Sequence, residues 1–316
     1  MTRALRDKTF DDTVPVVVSI CTITYNHCDF ITECIEGFLD QECDFRVEII
    51  VHDDASNDGT SDIIKDYAAR YPTLIRTIMQ SENQYSKGVN PYYAYVFPAA
   101  RGNYIAICDG DDYWSDPAKL ARQVAVLEAE PDTAITYGPV RAFRKTGEEV
   151  SYVGGARRDL SPEDLKAARP INTLTVCFRN IFSDAPPPVF LRNSPIGDLT
   201  VWGMLGYHGG GRYLADMPPA NYRIHEGGIL SLLAPRKQIM MSAIAHLNLA
   251  AYHTERGDTA AAEQSLKITM NHVNDTGMVY FYDVNISDSS FRAMLRRWNR
   301  RRKLRRAARN VRQAEK

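Results

Sequence analysis

Three carboxylates stand within four residues at Asp109-Gly110-Asp111-Asp112, directly after the apolar run Tyr104-Ile105-Ala106-Ile107-Cys108 and directly before Tyr113-Trp114. A short run of β-prone residues reads as a buried strand, so the acids emerge together at its carboxyl end. Like charges held this close are costly unless something positive lies between them. A hard divalent cation, Mg²⁺ or Mn²⁺, suits the task, because it accepts a few carboxylates and completes its shell with phosphate oxygens and water. A polar turn built from Asp and Gly is the plain alternative. The motif alone does not separate the two.

The surrounding elements tilt the balance. Val16 to Ile23 is a nearly continuous β-branched run, as expected for a strand covered on both faces. Asp29 to Phe38 carries apolar residues at helical spacing, with Asp29 placed to cap. Val47 to Val51 is a second strand that ends at His52-Asp53-Asp54, and Ser61 to Arg70 a second helix. A strand at Leu74 to Met79, a polar loop, a helix around Tyr92 to Ala100 and the strand at Tyr104 follow. This alternation predicts an α/β fold with a doubly wound, mostly parallel sheet. Ligands of such sheets bind beyond the carboxyl ends of the strands. Three successive strand ends carry polar groups there: Thr24-Tyr25-Asn26, Asp53-Asp54 and Asp109 to Asp112. Packing explains one polar strand end more readily than three.

Downstream, Ala134 to Phe143 is strand-like with a hairpin tip after it, and Ser161-Pro162 starts a helix. Helices at Gln238 to Glu255 and Thr259 to Val273, joined by Gly257-Asp258, form an antiparallel pair. The expected organisation is a tail over 1–13, an α/β domain over 14–232 with halves near 14–115 and 116–232, a helical extension over 233–287 and a basic tail over 288–316.

Composition narrows the class. The 316 residues are 44% hydrophobic and 24% charged, which is ordinary for globular chains. A formal net charge of -1 hides an asymmetry, since Arg292 to Lys316 holds twelve Lys/Arg against Glu315 alone. The six cysteines show no CxxC pair, which argues against a zinc ribbon or disulfide scaffold and for reduced thiols in a cytoplasmic setting. Met1 to Thr13 is mixed in charge, so no signal peptide is expected, and no apolar run is long enough for a spanning helix.

Val18-Ser19-Ile20 through Tyr25-Asn26, then Asp53 to Thr60 and Cys108 to Trp114, together resemble the family 2 inverting glycosyltransferases of the GT-A fold. The resemblance runs in order from about Pro15 to Ser231 and takes in Ile196-Gly197-Asp198-Leu199 and Tyr222-Arg223-Ile224-His225-Glu226-Gly227-Gly228. It implies a metal-dependent transfer of sugar from a nucleoside diphosphate sugar to a hydroxyl of a glycan or lipid-linked glycan, in surface polysaccharide synthesis. Thr24 and Tyr25 would wall the nucleotide base, and Asp54 would accept a base N–H. One carboxylate and an aromatic face suit uracil or thymine, hence UDP or dTDP. Asp109, Asp111 and Asp112 would face the nucleotide, with Asp111, Asp112 and His225 holding Mn²⁺ or Mg²⁺. Asp198 would be the general base that deprotonates the acceptor during in-line attack; a helix N-cap is its structural alternative. Gly197 stands where the family more often has the first acid of a Glu-Asp pair.

Trp114, Trp202 and Tyr207 could stack on sugar faces, with core packing favoured for Trp202, and Arg179 could bind an anion. A nucleotide-sugar-binding protein without transfer activity and a same-fold nucleotidyltransferase are the competing functions. The latter calls for a glycine-rich basic loop after the first strand, which Thr24-Tyr25-Asn26-His27 is not. For the basic tail, a solvated segment, nucleic-acid binding and docking on an anionic membrane surface through 291–312 compete. Nucleic acid is not expected, because no recognition module accompanies the basic run, and membrane docking would place the chain on the inner face of the plasma membrane.

Overall fold

The computed structural model describes residues 3–144, 146–151, 154–183, 185–226 and 233–275. They belong to a unit spanning Met1–Val273, apart from Asn274 and Asp275 at the start of a second unit, Asn274–Lys316. The expectations for the basic tail, 291–312 included, and for Gly227-Gly228 lie outside the described residues.

In chain order the elements are β1 (Val18–Thr24), α1 (Ile31–Leu39), β2 (Val47–Asp53), α2 (Thr60–Arg70) and β3 (Ile75–Met79). A π-helical turn, Tyr92–Val96, runs into the single turn α3 (Phe97–Ala99), then β4 (Tyr104–Ile107), α4 (Lys119–Ala129), β5 (Thr133–Tyr137), β6 (Val140–Arg144) and β7 (Glu149–Val150). The second half holds α5 (Pro162–Lys166), β8 (Cys177–Arg179), α6 (Gly197–Leu205), β9 (Gly210–Tyr213), β10 (Ala220–Ile224), α7 (Pro235–Glu255) and α8 (Thr259–Asp275).

Seven strands form one sheet in the order β3-β2-β1-β4-β8-β5-β9. β3, β2, β1 and β4 are parallel, and β8 runs antiparallel between β4 and β5. Winding outward from β1 through β2 to β3 and then back to β4 makes β1/β4 the point where strand order reverses. Ligand crevices open at that point. The apolar runs are continuous because both faces of the sheet are covered. Val18, Ile20, Val47, Ile49 and Val51 enter one cluster with Ile31, Ile35 and Phe38 of α1. Cys21, Ile50, Ile105 and Ile107 enter another with Tyr93, Phe97, Val201 and Trp202. Each fully buried aliphatic or aromatic side chain contributes about 1.5–3 kcal/mol.

The amino edge is tied by one buried carboxylate. Glu48 accepts hydrogen bonds from Ser19 Oγ at 2.7 Å, from Arg101 Nη2 at 2.7 Å and from Arg76 Nη1 at 2.8 Å. Burial opposes its ionisation, but these donors overcome that and hold its pKa below the usual range.

β10, β6 and β7 form a second, small sheet. Antiparallel bridge pairing of Tyr113 with Asn221 brings β10 alongside the chain that leaves the acidic motif. Ser161 caps α5 in a capping box with Asp164, as its sequence predicts. α1 differs from expectation: it starts at Ile31 without a side-chain cap, and the His27 carbonyl accepts the Phe30 and Ile31 N–H groups at 2.9 Å each. α7 and α8 are antiparallel, with Ser242 Oγ 3.1 Å from His272 Nε2 and Thr269 Oγ1 3.3 Å from the Ala243 carbonyl. Among the described residues, no helix is long and apolar enough to cross a membrane.

Candidate functional site

The three polar strand ends meet at the carboxyl edge of β1, β2 and β4. Thr24 pairs with Asp53 at the end of the β1/β2 ladder, the Asp54 N–H donates to the Thr24 carbonyl at 2.9 Å, and the Gly110 N–H donates to the Ile23 carbonyl at 2.9 Å. Gly110 packs against Thr24 so tightly that a Cβ would lie 2.8 Å from the Thr24 Cβ. Only glycine lets Asp109 and Asp111 flank that contact.

Tyr25 is 43% exposed, so core packing does not explain an aromatic at this edge. Asp54 is buried and its two oxygens accept the Gln84 N–H at 2.8 Å and the Tyr85 N–H at 3.0 Å, which pins the long loop after β3 to the sheet edge. Each oxygen keeps a second lone pair. Asp58 accepts the Cys28 N–H at 3.0 Å and the Thr60 N–H and hydroxyl at 3.0 and 2.6 Å, so it joins the loops after β1 and β2 in a structural role.

The acidic motif splits in three directions. Asp111 Oδ2 lies 2.9 Å from His225 Nε2 and 3.9 Å from His27 Nε2, and one donor atom from each of these residues falls within 4.8 Å of the others. Asp109 accepts the Tyr92 hydroxyl at 2.5 Å. Asp112 accepts the Arg223 N–H of β10 at 2.8 Å. Among the described residues, the group of possible metal donors is Asp111, His225 and His27; Asp112 is not part of it. Asp112 instead has one oxygen, Oδ1, committed to the main chain.

Charge follows geometry. Burial works against ionisation of Asp111, yet the His225 hydrogen bond and the His27 ring hold it low. Burial and then the Asp111 charge push Asp109 up to about 7, and the same two causes push Asp112 well above the carboxylate range. Burial lowers the His27 pKa, keeping its ring neutral and able to donate a lone pair. His27 Nδ1 is buried without a hydrogen-bond partner. Crowded acids, neutral imidazole and an unsatisfied buried nitrogen together fit a divalent cation.

Asp198 sits in the first turn of α6, partly exposed, and is not the cap; Ile196 holds that position without a side-chain bond. Its carboxylate accepts the Thr173 hydroxyl at 2.6 Å and the Leu199 N–H at 2.7 Å. Burial by the surrounding protein nonetheless raises its pKa. The group is close enough to the acidic motif for its charge to raise Asp109 further. Gly197 also finds its reason: a Cβ there would lie 2.4 Å from Asn90 Nδ2, which donates to the Ser194 carbonyl at 3.1 Å. An acid at 197 would collide with this tether.

Several sugar- or anion-binding candidates are structural instead. Trp114 is buried and its indole N–H donates to the Leu174 carbonyl at 2.7 Å; Trp202 is fully buried. The Tyr207 hydroxyl lies 2.8 Å from His253 Nδ1, fastening the turn after α6 to α7. Arg179 donates to the carbonyls of Leu127, Glu130 and Thr133 and so closes the end of α4. Missed by sequence reasoning were His27, Tyr92 and Arg223. His27 follows the polar end of β1, which was a usable signal; Tyr92 acts through a π-helical turn that periodicity does not reveal.

Arg223 is the staple of the motif. Its Nη1 donates to the Asp111 carbonyl at 2.6 Å, its Nη2 pairs with Glu33, and its guanidinium carbon lies 4.6 Å from the Tyr113 ring centre and 5.1 Å from that of Phe30. Arg223→Ala is expected to cost about 2–3 kcal/mol in chemical denaturation, from lost charge-assisted bonds and ring contacts. Unchanged stability would show that the staple contributes nothing.

The fold aligns with the crystal structure of Staphylococcus aureus TarS 1-349 in complex with UDP-GlcNAc at a TM-score of 0.56 and 18% identity, over 86% of this chain and 76% of that one. That likeness, with the open sheet and its acid-bearing edge, defines a GT-A fold. Residues 19–183 match the family "Glycosyl transferase family 2", and the chain belongs to that family. An uncharacterized protein of Mycobacterium tuberculosis is 40% identical over 218 residues, covering 67% of this chain and 60% of that protein. The chain thus spans about 60% of the length of this relative. WfaP of Escherichia coli, a UDP-Glc:alpha-D-GlcNAc-diphosphoundecaprenol beta-1,3-glucosyltransferase, is 35% identical over 114 residues, 36% of this chain and 42% of that protein.

Proposed function

We propose that this chain transfers a sugar from a UDP- or dTDP-sugar to a hydroxyl of a glycan or lipid-linked glycan, with inversion at the anomeric carbon. The observation that carries the reading is the Asp111–His225 pair together with a separate, proton-hungry carboxylate, Asp198, close enough for its charge to act on Asp109. Asp111 and His225 would hold a divalent cation, which supplies charge neutralisation for the departing diphosphate. Asp198 would take the acceptor proton. Its bonds from Thr173 and Leu199 fix the carboxylate, and its raised pKa makes it a better base than an exposed aspartate. Tyr25 would stack on the base and Asp54 would accept the imide N–H. The names of TarS in complex with UDP-GlcNAc and of WfaP support the uridine choice.

Thermal unfolding with UDP, dTDP or GDP, each with and without Mn²⁺, tests this reading. At a hundredfold excess over the dissociation constant a ligand adds about 2.7 kcal/mol, so UDP with Mn²⁺ is expected to raise the midpoint by several degrees and GDP to do less. Absence of any metal-dependent shift with UDP or dTDP would sink it. The anomeric configuration of the product, read by NMR, checks inversion.

A further inference from the structure

Resting on the cation site just described, we propose that His27 is its third protein ligand, and that one carboxylate with two imidazoles selects transition-series ions such as Mn²⁺ over Mg²⁺. Among the described residues, the His27 ring makes no hydrogen bond. Its Nε2 is 3.9 Å from Asp111 Oδ2, beyond hydrogen-bond reach, and its Nδ1 is buried and unbonded. A buried polar atom left so costs about 1–3 kcal/mol. The backbone, by contrast, is firmly placed. The His27 N–H donates to Thr60 Oγ1 at 2.8 Å, that hydroxyl donates to Asp58 at 2.6 Å, and Asn26 takes a φ of 57° to turn the chain toward the edge. This scaffold delivers an imidazole without a hydrogen bond of its own to within 5.9 Å, ring centre to ring centre, of His225, with the rings nearly perpendicular at 83°.

The spacing suits an ion. Donors of a six-coordinate cation with bonds of about 2.1 Å stand roughly 3 Å apart when adjacent and about 4.2 Å when opposite. The three donor atoms here, one ring nitrogen from each histidine and one oxygen of Asp111, all lie within 4.8 Å of one another. Small side-chain movements close that set. Mg²⁺ prefers oxygen and parts with water reluctantly, whereas imidazole favours ions further along the transition series. Diphosphate oxygens of the donor would supply the remaining hard ligands.

The test is pulsed EPR of Mn²⁺ added to the full chain with UDP. Two directly bound imidazole nitrogens are expected in the native protein and one in His27→Ala. Loss of a supporting group around a metal costs about 10–100-fold in affinity, so His27→Ala is expected to weaken Mn²⁺ by about 100-fold and Mg²⁺ by less. His27→Asp, which substitutes an oxygen donor, is expected to show one nitrogen and a preference moved toward Mg²⁺. One nitrogen in the native protein, or two in His27→Ala, overturns the proposal and leaves the Asp111–His225 site standing. No Mn²⁺ bound in the presence of UDP overturns both.

Discussion

Asp198→Asn is expected to lower sugar transfer by roughly 10²–10⁴-fold, the range that a positioned general base contributes, while donor and metal binding stay as they were. The substitution keeps the shape of the side chain. Its amide oxygen can still accept the Leu199 N–H, and the Thr173 hydroxyl can rotate to accept from the new NH₂. What disappears is the capacity to take a proton. A kinetic comparison at saturating donor should therefore show the loss in kcat, with an unchanged UDP-dependent thermal shift. Wild-type turnover in this variant would remove Asp198 from the mechanism.

The same carboxylate predicts a pH profile. Burial raises its pKa, so the base becomes protonated, and activity falls, at a higher pH than an exposed aspartate would allow. Stability runs the other way. The folded pKa lies above the unfolded one, so the folded state binds the proton more tightly, and stability is lost as pH rises from the unfolded value through the folded one. At neutral pH the ionised Asp198 is a cost to the fold. Asp198→Asn should accordingly gain a little stability as it loses activity, a pattern expected of a functional group held against its preference.

The first half of the fold was legible because its physics is local. β1 and β2 are buried on both faces, so their sequences are largely apolar, and the polar groups that end them stand out by contrast. β8 was not legible. It is three residues long, lies in a loop-rich stretch and gains its place only by pairing with β4 and β5. Likewise Ala134 to Phe143 reads as one strand-like segment, yet β5 and β6 within it belong to different sheets.

The site divides in the same way. Asp111 could be named from its position after an apolar strand, whereas Asp198 was expected only through the family resemblance; their surroundings keep the first ionised and raise the pKa of the second. Asp112 shows the limit. Sequence cannot say which of two adjacent acids pairs with the main chain, and the answer depends on the Arg223 N–H in a strand 111 positions away. Trp114 makes the same point for aromatics, since its burial depends on contact with Phe38 of α1 at 4.9 Å between ring centres and with the Leu174 carbonyl.

Asp111→Asn should produce a loss as large as that of Asp198→Asn but of a different kind. The amide keeps the size of the side chain and can still bond His225, so the variant isolates the negative charge. That charge is what would hold a divalent cation beside the two imidazoles; without it, little would hold the ion against water. Lewis-acid help to the leaving diphosphate is worth several kcal/mol, and each 1.4 kcal/mol is tenfold, so kcat/KM is expected to fall by about 10²–10⁴-fold. Unlike the Asp198 variant, this one should also lose the Mn²⁺-dependent part of the UDP thermal shift and need more donor for saturation. Circular dichroism of the unliganded variant establishes that the lost shift is not lost folding. Full retention of the Mn²⁺-dependent shift would place the cation elsewhere, and the two carboxylates would then have to be assigned anew. If instead the two variants separate as described, one losing turnover alone and the other losing metal-supported binding with it, the division of labour follows from their surroundings. Asp111 is kept ionised by imidazoles, and Asp198 is kept proton-hungry by burial.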